Sequence, residues 1–398
     1  MKFKISSKAL LFELGVIFYF FIMTLSSSAY TLLDNVSQIL SAFRLLVLLL
    51  LLIIAFSDTI RLSLFHMIII MIFVAFSLGN MVFSGGGYKF IIILLFVLIA
   101  RKYSQDLVFK IAFVGLMASS VLVIISSICG IIPDLANERV VDSFSFSLLS
   151  GKYVRHSYGF LMSNIIPFIL SYLYMYRIVQ KKETMTLIEV AIFQLANVLS
   201  FLFCGSRVVF LTITVIGVVH LYLLLKGRTA ISFLYNNKLI AIMFPLLTIG
   251  CFIIALLFGR EAYNTVNIMF NFRFSNIYKT IIFFGIHLIG NENNVGTQNS
   301  LNGVVVDNGY AMLFLQKGLI VGIIIIGAWA LLTIKAIKLK NAYLIIALFG
   351  IALLNVVDYH FTSYMNVPFY CLLLQKNNKC FIINRLDELG LWKEYRKK

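Results

Sequence analysis

Proline is nearly absent from this chain: 4 residues in 398. Proline removes a backbone donor and breaks helices, so its scarcity suits long helices whose backbone bonds are all internal. Charge is scarce as well. Charged residues make up 12% of the chain and apolar residues 61%, where a soluble domain carries about 25% and about 45–50%. An apolar excess of that size has no room in one core and must face lipid. The five cysteines, Cys129, Cys204, Cys251, Cys371 and Cys380, form no CxxC pair. They read as small buried hydrophobes, neither a disulfide framework nor a metal site.

Chemical signatures are missing too. No GxxxxGK[ST] loop points to ATP-driven pumping, and no GxGxxG follows a strand. No DxD pair suggests a metal-dependent nucleotide-sugar enzyme, and no HExxH or His/Cys cluster suggests zinc. No cofactor and no protein-bound metal is expected. An enzyme built from this chain needs a substrate that arrives already activated.

What is present is a series of apolar stretches. A membrane span needs about 20 mostly apolar residues. Twelve are expected, roughly at 9–32, 39–57, 62–80, 84–100, 107–132, 158–177, 186–204, 207–225, 238–258, 310–334, 341–358 and 360–375. The first run follows the basic residues 1–8. It is too long and bulky for the core of a cleaved signal, so a retained span is expected. With the N-terminus inside, 23 of the 33 Lys and Arg fall in cytoplasmic segments, as the positive-inside rule requires. The net charge of +17 is thus a topology signal, and no nucleic-acid partner is expected. The expected fold is all-α: one integral membrane domain over 1–398, a polytopic helical bundle with both termini cytoplasmic. Its outer loops are 133–157 and 259–309, the larger one preceding the tenth span, and 376–398 is a basic cytoplasmic tail. Within the large loop, 277–289 is apolar but too short to span, which suits a segment lying along the interface. Residues 291–303 are polar and rich in Asn and Gly.

Charge beside a membrane is costly, about 2.5–3.5 kcal/mol at a helix centre, so each such residue is a functional candidate. The outer side carries Arg155, Arg207, Arg260, Arg273 and Asp307, with His156 and His287 nearby. Arginines grip phosphate oxygens in bidentate fashion and stay charged. The alternative is that they snorkel to lipid headgroups. Asp307 suits either a base or an N-cap for the tenth span. Arg44, near the outer end of the second span, reads as a packing or topology residue. His360 and Asp358, in the turn before the last span, read as structural.

At these residues the chain resembles the Wzy-type repeat-unit polymerases of bacterial surface polysaccharides, which are related to the O-antigen ligases. Residues 155–164, Arg-His-Ser-Tyr-Gly-Phe-Leu-Met-Ser-Asn, are similar to the family's R-x-S-x-G-F-x-H-P-N. Arg155, Ser157, Gly159, Phe160 and Asn164 match, while Met162 and Ser163 replace its His and Pro. Ser206-Arg207 resembles an S-R at an outer turn, and Asn271-Phe272-Arg273 a loop element N-x-R. Ile289-Gly290 resembles a later L-F-G. Asp307-Asn308-Gly309-Tyr310, followed by Gly318-Leu319-Ile320, resembles D-N-x-Y with a downstream G-L-I; the ligases have His-Asn there.

The resemblance implies a bacterial plasma-membrane glycosyltransferase acting on oligosaccharides carried by undecaprenyl diphosphate. A chain-length regulator and a flippase are the protein partners such a role implies. It places Arg155, Arg207, Arg273 and Arg260 on the diphosphate, and Asp307 as base. Asn308 and His287 are expected beside that base, with Ser157, Gly159, Asn164 and Tyr310 on the rest of the substrate. Two rival functions share the topology. A lipid-linked oligosaccharide flippase would place charge at mid-membrane, and a ligase would pass glycan to a different acceptor.

Overall fold

The computed structural model describes residues 7–56, 88–141, 151–226, 228–261, 272–290 and 306–373, with isolated positions between 57 and 87 and between 262 and 271. The expected third span at 62–80 and the tail at 376–398 lie outside them, apart from a few positions of the span.

The described chain is a bundle of apolar helices. In order they are α1 (Ser7–Leu25), α2 (Val36–Phe56), α3 (Tyr88–Ala100) and α4 (Gln105–Ile128). After them come α5 (Ile165–Lys181), α6 (Leu187–Cys204), α7 (Arg207–Lys226), α8 (Arg228–Asn236) and α9 (Met243–Phe258). The series closes with α10 (Arg273–Phe284), α11 (Gly309–Lys317), α12 (Leu319–Lys338), α13 (Ala342–Val357) and α14 (Val367–Cys371). Local signals set the starts. Ser104 and Asn341 cap α4 and α13 through side-chain oxygens, and Thr186 with Glu189 forms a capping box on α6.

Among the described residues, six helical stretches are long and apolar enough to cross a membrane: α2, α4, α6, α7, α12, and α9 with the 3-10 turn before it. Apolar helices α1, α3 and α13 are shorter. This is a multi-pass helical membrane protein. Large side chains such as Ile188, Ile53 and Leu257 stay exposed on the helix surfaces, where lipid rather than water is the natural neighbour.

Four sequence expectations change. The first outer loop contains an antiparallel hairpin, β1 (Asn137–Val141) with β2 (Gly151–Arg155), which an all-α reading omits. The sixth span begins at Ile165 rather than near 158. Residues 158 and 159 both have positive φ, and Phe160 bridges back to Ser28. The tenth span is two helices, α11 and α12, broken at Gly318, where φ is +90° and ψ is 164°. In the twelfth, expected at 360–375, the described residues 360–373 form a 3-10 turn (Tyr364–Asn366) and the five-residue α14 instead of a full helix.

That last segment nevertheless runs along the inside of the bundle. The Tyr364 hydroxyl lies 3.2 Å from the Thr24 hydroxyl, at the end of α1. Eight residues on, the Leu372 carbonyl accepts from Lys335 Nζ in the last turn of α12. Irregular backbone at such depth needs protein donors and acceptors, and it has them. Tyr176 donates to the Met365 carbonyl, Tyr370 to the Phe361 carbonyl at 3.0 Å, and Asn366 to the His360 carbonyl at 2.6 Å. Trp329 in turn donates to the Tyr370 hydroxyl at 2.7 Å. Aromatic rings of Tyr310, Trp329, Phe361 and Phe369 pack around it as the main core.

The end of the bundle where α1, α4, α6 and α13 finish, and where α5, α7 and α12 begin, is called the distal end below. Gly318 there has no room for a side chain. An added Cβ would lie 2.7–2.8 Å from the backbone of residues 288–290. Its dihedrals also belong to a region open only to glycine, costing other residues about 1–3 kcal/mol. Gly318→Ala is therefore expected to lower the melting temperature in detergent clearly. An unchanged melting curve would show that the α11–α12 break is not fixed.

Candidate functional site

Most of the sequence-nominated residues form two groups at the distal end. The first surrounds Asp134. Its Oδ1 accepts from the Ser157 and Tyr158 backbone N–H groups, both at 2.8 Å, and from Ser157 Oγ at 3.1 Å. Its Oδ2 lies 2.7 Å from His156 Nδ1. Ser157 Oγ accepts from Leu135 N, and the buried Gly159, at φ +83°, presses against the end of α4. Ser157 and Gly159 thus build the turn rather than face a ligand. Burial alone would raise the Asp134 carboxyl, but His156 and these N–H donors hold it below its ordinary value. Arg155 donates through Nε to the Cys204 carbonyl at 2.8 Å, at the last residue of α6. Arg207, half-buried, opens α7 three residues later.

The second group is acidic and basic together. Arg273, the first residue of α10, places Nε 4.0 Å from Asp307 Oδ2. Asn267, not singled out in the sequence, fixes this corner. Its amide donates to the Phe258 and Glu261 carbonyls after α9, and its Oδ1 accepts from Ser275 N in α10. The expected cap role of Asp307 belongs to its neighbour. Asn308 Oδ1 accepts from Ala311 N, while Nδ2 donates to the Val356 carbonyl at 2.6 Å and faces Cys251 Sγ at 3.3 Å. Asn308 is buried and fully engaged, and Tyr310 spends its hydroxyl on the Ala352 carbonyl. Asp307 is left free of capping, with its side chain 51% exposed.

Asp358, in the turn after α13, joins this group. Its Oδ2 accepts from Asn164 Nδ2 at 3.1 Å, and its Oδ1 from Tyr359 N at 2.7 Å. His360 Nε2 lies 3.9 Å from Oδ2. Arg273 acts on both carboxylates, and they repel each other. Partial burial raises Asp307, Arg273 opposing the rise and Asp358 adding to it. Burial pushes Asp358 up to about 6, against the Tyr359 N–H and the Arg273 charge.

The two groups stand at one level. Gly350 of α13 meets Ile216 of α7 so closely that a Cβ would lie 2.4 Å from its side chain. Asp358 lies eight residues beyond Gly350, and Arg207 nine before Ile216 in the antiparallel neighbour. At about 1.5 Å per residue, both stand about 12–14 Å distal to that contact. Arg260 is exposed just after α9. His287 is exposed beyond α10, its Nε2 2.6 Å from the Phe284 carbonyl, and its own carbonyl accepts from Leu319 N. Among the described residues, no hydrogen bond or ion pair joins His287 or Arg260 to Asp307 or Asp358.

The chain matches no family model, no curated protein and no solved structure. Fold and site define a multi-pass helical membrane protein with two carboxylates and an arginine gathered at one end.

Two outcomes follow from this geometry. Asn308→Ala removes a cap and strands the Val356 carbonyl, so it is expected to cost about 1–2 kcal/mol of stability. Lost activity with unchanged melting would instead put Asn308 on the substrate. Asp134, held low in the fold, stabilises its turn above the ordinary carboxylate range. That contribution fades as pH falls through the depressed value. Amide exchange at Ser157 and Tyr158 is therefore expected to quicken in Asp134→Ala at neutral pH, and in the wild type only in strong acid. Equal protection in both would remove Asp134 from the role.

Proposed function

We propose that the chain is a polymerase of bacterial surface polysaccharide. It acts in the plasma membrane and joins undecaprenyl-diphosphate-linked oligosaccharides on the outer face. The observation that carries this reading is the meeting of Arg273, Asp307, Asp358 and Asn164 at one end of a lipid-facing bundle. A sugar already activated by a lipid diphosphate needs three services. Its leaving group needs a cation, which Arg273 offers, with Arg207 at the same level on α7. Its acceptor hydroxyl needs to be placed opposite that group, and to lose a proton to a base. The carboxylates beside Arg273 supply the base.

Two motifs behind the family resemblance also meet here: Asn164 closes one, Asp307 opens another, and Asp358 touches or senses both. Arg155 is bonded to the Cys204 carbonyl at the α6–α7 turn, and this reading assigns its guanidinium to the diphosphate from that side. A flippase is the second reading, and the irregular stretch at 361–373 inside the bundle favours it. Transporters commonly build their sites from interrupted helices.

Gene deletion, followed by complementation with wild type, Arg273→Ala or Asp307→Asn, separates these readings. Sizing the surface glycan on a gel is expected to show single repeats in the deletion and long chains only with wild type. Long chains in the deletion would end the polymerase reading. Lipid-linked repeats trapped on the cytoplasmic leaflet would favour the flippase.

A further inference from the structure

The two carboxylates near Arg273 are not equivalent. Asp307 is half-exposed and its nearest charged partner is Arg273, at 4.0 Å. Asp358 is held on both oxygens, by Asn164 Nδ2 at 3.1 Å and by Tyr359 N at 2.7 Å, and one third of its side chain stays accessible at 33%. A base must be aimed at the proton it takes, and only Asp358 is aimed. Beside it lies His360 Nε2, buried and without a hydrogen-bond partner, and beneath them the Tyr172 hydroxyl meets the Asn366 side chain. His360 Nε2 is 3.9 Å from the Asp358 carboxylate, and the Tyr172 hydroxyl senses its charge. A buried polar atom left unpaired calls for a reason, a catalytic role among them, and His360 Nε2 adjoins an accessible carboxylate.

We propose that Asp358 is the catalytic base of the transfer and that Asp307 positions Arg273 for the leaving diphosphate; this rests on the polymerase reading. In the step, the acceptor hydroxyl gives its proton to Asp358 as its oxygen bonds to the anomeric carbon of the donor. The bond from that carbon to the diphosphate oxygen breaks, and its electron pair leaves on the lipid diphosphate beside Arg273. The proton on Asp358 then passes to water, and the carboxylate is restored. Asn164 acts through Asp358 and is a positioning residue. By donating to the carboxylate it favours the ionised form.

The test uses the full chain in detergent or nanodiscs with lipid-linked repeat units, reading chain extension against time and pH. Asp358→Asn is expected to lower kcat at least about 100-fold, the range of general base catalysis, with little change in KM. Asp307→Asn is expected to raise KM for the lipid-linked donor more than it lowers kcat. Asn164→Ala, which removes a donor to the carboxylate, is expected to move the acid limb of the rate profile to higher pH. Wild-type-like kcat in Asp358→Asn, or an equal kcat loss in Asp307→Asn with KM unchanged, would overturn the assignment. Where Asp358→Asn fails to accumulate, Asn164→Ala decides, and an unmoved acid limb overturns it. A wild-type protein that leaves single repeats unjoined defeats the polymerase reading itself, a result distinct from any difference among variants.

Discussion

A polar backbone without a helix has to be satisfied inside this bundle, and that constraint organises the molecule. From residue 358 to 373 the chain passes along the bundle as turns and a five-residue helix. Lipid offers no donor at that depth, so each carbonyl left outside a helix needs one from the protein. Tyr176, Tyr370, Asn366 and Lys335 supply them, and Trp329 secures Tyr370 in turn. Asn366 and Tyr370 belong to the segment itself, while Tyr176, Trp329 and Lys335 come from helices far apart in sequence, so the irregular segment draws those helices together as surely as they hold it.

The site inherits its shape from that arrangement. Because α13 ends at residue 357 instead of running on, Asp358 turns toward the start of α5, and Asn164 can meet it. Because α11 starts at Asn308 against the last turn of α13, Asp307 is presented at the same place. Arg273 arrives separately, carried by a helix that Asn267 ties to the end of α9. Three helix starts and one helix finish converge, and the convergence brings Arg273, Asp307 and Asp358 together.

Much of this was legible in the sequence. Apolar runs marked most of the helices because lipid enforces hydropathy over long windows. The charged candidates were legible for the same reason, since each pays a solvation cost that chance does not explain. Their partners were not. Asp358 meets Asn164 across 194 positions, and no local pattern announces a contact of that span, so Asp358 read as a turn residue. Asp307 and Asn308 were confused as caps because both residue types suit the role and only the backbone geometry separates them. The stretch at 360–375 read as a span because hydropathy counts apolar residues and is blind to whether their backbone is helical. The hairpin at 137–155 is held by short strands with too little alternation to stand out beside helices.

The same segment carries a consequence for how the protein is made. Insertion machinery accepts a stretch into the bilayer as it emerges, when a helix alone can satisfy its own amides. Residues 358–373 cannot meet that condition until Tyr176, Trp329 and Lys335 are in place, and Thr24 of the first helix waits at the far end. The segment thus has to dock after the helices around it have assembled. Assembly closes by joining the two ends of the described chain, and Asp358 takes its place beside Asn164 only at that final step.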